Sequence, residues 1–113
     1  MSRLMSVALT EDAVRARRKT VTRRLGWKFA RPGDRLTLCR KVMGRKPGEP
    51  LVRIAEVEIT SVWPTRLGAI VADDVEREGF TGWTPEQFVA FFCEHMGTTP
   101  ETEVTRIEWR YVS

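Results

Sequence analysis

The chain has 113 residues, 42% of them hydrophobic and 30% charged, with nineteen Lys/Arg, fifteen Asp/Glu and a formal net charge of +4. That length predicts one domain over residues 1–113 with one modest core. No apolar run reaches the roughly 18 to 20 residues that cross a bilayer, so membrane partners are not expected, and MSRLMSVALTEDAV does not read as a secretory leader.

Charge is unevenly spread. Residues 1–53 hold fifteen Lys/Arg and four Asp/Glu, whereas residues 54–113 hold four and eleven. Such asymmetry predicts a positive face suited to a phosphate backbone, unless the two halves pair across the fold. Cys39 and Cys93 lie in apolar segments without C-x-x-C spacing, which predicts reduced, buried thiols and a cytoplasmic protein.

In chain order, Thr10 is a plausible N-cap with Glu11 and Asp12 in the first turn, and a helix is expected to about Arg17 with Ala13 and Val14 inward. TVTRRL reads as a strand ending before Gly26. Pro32-Gly33-Asp34 is a turn, followed by a strand with Leu36, Leu38 and Val42 on one face. GRKPGEP, residues 44–50, reads as a hairpin loop. In the next segment Val52 and Ile54 share one parity and Val57 and Ile59 the other, which predicts a bulge near Ala55-Glu56.

A short apolar piece follows Trp63-Pro64, and VADDVEREGF reads as a short helix ending at Gly79. TPEQFVAFFCEHMG carries a capping box (Thr84, Gln87), Pro85 at the first helical position and Gly97 as a stop. Phe88, Phe91, Phe92 and Met96 form its stripe and are expected in the core, as are Trp63 and Trp83, with base stacking as the second reading. EVTRIEWRYV closes the chain as a strand with Ile107, Trp109 and Tyr111 on one face. The order α-β-β-β-α-α-β has connections too short for parallel crossovers, which points to an α+β fold, a small mixed β-barrel with flanking helices.

No metal site is expected, because one histidine, His95, and two separated cysteines do not make one. No glycine-rich phosphate loop or nucleophile elbow occurs either, and no cofactor is expected. What remains is Arg17–Leu25, RRKTVTRRL, where five cations surround two threonines. A lysine crowded by cations or desolvated loses its proton readily and can accept one from a hydroxyl or water, with a carboxylate as shuttle. Lys19 and Thr22 have opposite strand parity. They can share a pocket only if Lys19 lies in the loop before the strand, or the strand is bulged.

KTVTRR, followed by PGDRLTL and the late GWTPEQFVAFF…VTRIEWRY, resembles the ASCH domain family of the PUA-like superfold over roughly Thr10 to Tyr111. The resemblance implies a basic cleft beside a PUA-like barrel that binds RNA or a modified nucleoside. Small bacterial members of similar size are N4-acetylcytidine amidohydrolases with a Lys, a Thr and a Glu. Their roles fall on Lys19, Thr22 and Glu78, the last chosen among Asp73, Asp74, Glu76 and Glu78. Arg17, Arg18, Thr20, Arg23, Arg24 and Trp27 are then the nucleoside- or RNA-binding candidates. Arg17 stands where the family has glycine, which points to an altered turn and a more cationic cleft mouth. The readings left open are binding alone, hydrolysis of an acylated nucleobase amide, RNA cleavage, and a basic protein-interaction module.

Overall fold

The computed structural model describes residues 2–112. Its strands are β1 (Arg3–Ser6), β2 (Val21–Arg24), β3 (Arg35–Cys39), β4 (Arg53–Arg66) and β5 (Glu103–Tyr111). The helices are α1 (Glu11–Arg15), α2 (Ala72–Arg77) and α3 (Pro85–Met96), with short 3-10 turns at Ala8–Thr10 and Leu67–Ala69. The strands form one mixed sheet in the order β1-β3-β4-β5-β2, with β1 parallel to β3 and the other pairs antiparallel. The fold is α+β, a five-stranded half-barrel with helices against it. β1 and β2 are its two free edges, and the seam between them stays open.

β1 is the element the sequence reading missed. Four residues are too few to show a period, and it is held by parallel pairing to β3, with Met5 opposite Leu38. β3 is shorter than the alternation suggested: it ends at Cys39, and Val42 lies in the half-buried loop beyond. The bulge in β4 falls on Ile54, next to the expected Ala55-Glu56, because Leu38 faces Ala55 while Cys39 faces Arg53. A second irregularity at Thr60 re-phases β4 against β5.

β4 also runs on through Trp63-Pro64 to Arg66. Proline survives there because β3 pairs only with the first part of β4, so the Pro64 nitrogen has no ladder partner to lose. Trp63 and Trp83 are surface residues, 46% and 38% exposed, not core. Trp63 carries the Arg106 guanidinium on its ring at 4.4 Å, and Trp83 packs edge-on against Phe91.

α3 follows its sequence signals closely. Thr84 and Gln87 close a reciprocal capping box, Pro85 opens the helix, and Gly97 ends it in the left-handed conformation at φ 64°. α1 is shorter than expected. It stops at Arg15, and Thr10 makes no side-chain cap. Ala13 and Val14 still face inward.

The buried residues form two clusters rather than one core. The first fills the half-barrel: Met5, Val14, Leu36, Leu38, Val57, Ile59, Ile107 and Trp109. The second lies on the opposite face of β5 under α2 and α3: Leu67, Ile70, Val75, Phe88 and Val104. Strand alternation forces the split, because Ile107 and Trp109 point one way while Val104 and Arg106 point the other.

Candidate functional site

Between these clusters, at the open seam, lies a cavity of about 350 Å³. Its polar wall comes from Lys19, Thr22, Arg23, Arg24 and Glu78. Aromatic residues supply the rest, with Trp27 on one side and Phe80, Phe88, Phe91 and Phe92 on the other.

Lys19 and Thr22 reach the same hollow by different routes. Thr22 sits in β2 opposite Ile107 and so faces the barrel interior. Lys19 precedes the strand, in the loop after α1, and its side chain passes around the free edge. Its backbone is fixed tightly. The Lys19 carbonyl accepts from Trp109 Nε1 at 3.1 Å and from the Tyr111 hydroxyl at 2.5 Å, while Thr20 N–H donates to Arg77 O at 2.9 Å. The aromatic alternation of β5 therefore does more than fill the barrel; it places Lys19.

The ammonium of Lys19 donates to Glu78 twice, to the main-chain carbonyl at 2.7 Å and to Oε1 at 3.2 Å. Both side chains are 3% exposed. Burial pulls the Lys19 pKa below its ordinary value of 10.5; Glu78 opposes the shift, and the Arg24 and Arg23 charges reinforce it. Glu78 closes the C-terminal end of α2, and its Oε2 accepts from Arg23 Nη1 at 3.2 Å. The next residue makes this approach possible. Gly79 has φ +99°, and a Cβ there would lie 2.8 Å from the Ala13 Cβ.

Behind this pair, Asp74 binds Arg23 at 2.7 Å and Arg106 at 2.7 and 3.0 Å. Hydrogen bonding to Arg106, then to Arg23, holds its carboxyl down at about 2 against the cost of burial. Of the four acidic candidates, Glu78 lines the cavity, Asp74 braces Arg23, and Asp73 and Glu76 lie on the exposed side of α2. Some of the charge asymmetry is thus spent internally, since Lys19 and Arg23 pair with Glu78 and Asp74 across the two halves.

Arg24 stands apart. Its Nε donates to Thr22 Oγ1 at 3.1 Å and its Nη2 to Ser6 O at 2.7 Å, so one guanidinium bridges the seam from β2 to β1. With a lone pair of Thr22 taken in this way, the hydroxyl proton is left to donate. Trp27 has φ 58° and packs on Phe29 at 5.0 Å.

Arg17, Arg18 and Thr20 lie outside the cavity. Arg18 donates to Thr81 and lines a separate, polar hollow with Asp12 and Arg40. Arg17 lies over the Tyr111 ring at 5.2 Å. Its φ is 60°, in the left-handed region that favours glycine. The α3 stripe also differs from expectation. Phe88 is buried, but Phe91, Phe92 and Met96 line the cavity, together with His95, which stacks on Phe91 at 4.2 Å. The signal was present in the adjacent Phe91-Phe92, since two neighbouring rings widen the stripe beyond what one small core covers. Among the described residues no cluster could hold a metal ion, and no helix is long and apolar enough to cross a membrane.

No family model and no curated protein sequence matches the chain. Solved structures do match. A crystal structure from Enterococcus faecalis V583, described under the family-model DUF984, aligns at TM-score 0.72 and 15% identity over 99% of this chain and 80% of that one. An ASCH domain from Lactobacillus crispatus JV V101 aligns at 0.62 and 18% identity, covering 92% of this chain and 70% of that one. An ASCH structure from Zymomonas mobilis aligns at 0.60 and 16% identity, with coverage of 96% and 65%. The chain therefore has an ASCH-like fold.

Proposed function

We propose that the seam cavity binds one base of an RNA, or a nucleoside derived from it, in the cytoplasm. The supporting observation is the pairing of aromatic walls with a convergent polar wall in one hollow of about 350 Å³, a volume suited to a single nucleoside. An exposed basic patch that docks on a protein needs no such enclosure. Isothermal titration with nucleosides and short single-stranded RNA tests the reading. Binding that weakens steeply with salt is expected for RNA. An absence of binding to either ligand would discard the proposal.

A second reading, hydrolysis of an acylated exocyclic amine such as that of N4-acetylcytidine, is favoured by Lys19. A buried lysine with a lowered pKa can take a proton from water or from the Thr22 hydroxyl as its oxygen adds to the acyl carbon. Glu78, bonded to the same amine, relays that proton to the nitrogen as the carbon–nitrogen bond breaks and the free base amine leaves, together with a carboxylic acid where water attacked. Where Thr22 attacked, an acyl-threonine ester remains, and a water then hydrolyses it to the carboxylic acid and returns a proton to Thr22. Where water attacks, the Thr22 proton left free by Arg24 is available to the developing oxyanion. Incubation with N4-acetylcytidine should yield cytidine. Lys19→Ala and Thr22→Val should each lower the rate about 100-fold or more. Unchanged turnover in both variants would remove these roles.

A further inference from the structure

The charges around the cavity do not balance. Lys19, Arg23 and Arg24 line it, and Glu78 is the carboxylate facing them. Lys19 pairs with Glu78, Arg23 leans on Asp74, and Arg106 shares Asp74 and adds Glu108 at 3.1 Å. Arg24 is left over. Among the described residues no carboxylate lies within ion-pair distance of it, and its two acceptors, Thr22 Oγ1 and Ser6 O, are neutral. Its Nη1 makes no hydrogen bond to them. Desolvation holds the Arg24 pKa below its usual value against the opposing charge of Glu78, which acts on it from beyond ion-pair distance, so the guanidinium sits where water cannot fully solvate it. A desolvated cation without a carboxylate partner is costly unless an anion completes it.

We propose that Arg24 forms an oxyanion subsite, and that the ligand of this cavity is a phosphorylated nucleoside rather than a neutral one. The identity of the rest of the ligand rests on the base-binding reading above; the subsite rests on the charge balance alone. Guanidinium is the cation suited to this task, because its planar fork offers parallel donors to phosphate oxygens. Arg24 already holds its Nε and Nη2 in fixed bonds, so Nη1 is presented without further ordering of the side chain.

The test is a titration of the full chain with the four nucleosides, the four nucleoside 5′-monophosphates and inorganic phosphate, followed by calorimetry. The best monophosphate should bind about 10- to 100-fold more tightly than its nucleoside, the range expected of a charge-assisted bond. Arg24→Gln should close that gap, and Arg24→Lys should recover part of it, which a merely structural arginine would not do. Circular dichroism confirms that each variant folds. Equal affinities for nucleoside and monophosphate, or a gap that survives in Arg24→Gln, would overturn the subsite. If inorganic phosphate binds the native chain but not Arg24→Gln, and no nucleoside or nucleotide binds, the subsite stands and the base-binding reading falls. If phosphate and all nucleotides fail, the subsite falls.

Discussion

The two buried clusters are built to different rules. In the half-barrel, Met5, Leu36, Leu38, Val57, Ile59 and Ile107 are each at most 1% exposed, and α1 closes the space. Under α2 and α3, Leu67 and Val75 are equally sealed, but the cluster is fringed by half-buried Phe80, Phe92 and Cys93 and opens into the seam cavity. The sealed cluster contains no ion pair. Beside the open one lie Lys19, Arg23, Asp74, Glu78 and Arg106, all buried. One region carries the stability of the fold, and the other gives up part of it to keep a hollow with charged walls.

Truncation should expose this contrast most strongly. Leu38→Ala leaves a void in a site that cannot collapse and should cost about 2–5 kcal/mol, read by urea unfolding. Phe91→Ala removes more atoms but from the cavity wall, where the lost contacts are with Phe80, Trp83 and His95. It should cost less than half as much and instead weaken ligand binding. Equal destabilisation by the two would mean that the aromatic wall is ordinary core.

Within the charged region the two ends of one ion pair should behave oppositely. Glu78→Gln strands Lys19, while Arg23 keeps Asp74, and should cost about 3 kcal/mol, at the low end for breaking a buried pair because Lys19 can release its proton. Lys19→Met removes a desolvated charge while Glu78 keeps Arg23, and should stabilise by about 1 kcal/mol. The pH dependence follows from the same group. The folded-state pKa of Lys19 lies below the unfolded value of 10.5, so between the two the unfolded chain holds the extra proton. Stability therefore rises with pH through that window, and the rise should be smaller in Lys19→Met. A stability that falls in both chains alike over the same range would show Lys19 fully charged in the fold.

Much of this architecture could be read from residue order, and most of the failures share a cause. The α3 caps, the Gly79 stop and the β5 alternation are local signals that the structure meets, whereas the equally local Thr10 cap is not formed. β1 was missed because its strand character is conferred by parallel pairing to β3, more than thirty positions away. Trp63 and Trp83 were misplaced because burial of a tryptophan depends on what the chain brings over it, which no spacing encodes. The seam cavity was half legible. Its polar wall is contiguous in RRKTVTRRL, with Glu78 added by resemblance. Most of the aromatic wall belongs to a helix whose stripe looked like core, and Ser6, which lines the cavity and accepts from Arg24, lies on the strand that was missed.

Backbone strain gives the smallest and cleanest measure of the contrast. Among the described residues Arg17 and Trp27 are the non-glycine positions with positive φ, and both flank β2 beside the open region. Trp27 repays its strain by walling the cavity, so a glycine there should weaken ligand binding. Arg17 lies outside the cavity and gains only a ring contact with Tyr111 at 5.2 Å. A left-handed arginine costs about 1 kcal/mol, while a glycine adds unfolded-state entropy and loses that cation–π contact, worth about 0.5 kcal/mol at an exposed site. Arg17→Gly should therefore change stability by no more than about 0.5 kcal/mol in either direction, and leave nucleoside affinity untouched. A loss of affinity in that variant would place Arg17 in the binding path, and move the site's boundary from the seam cavity out to the turn before Lys19.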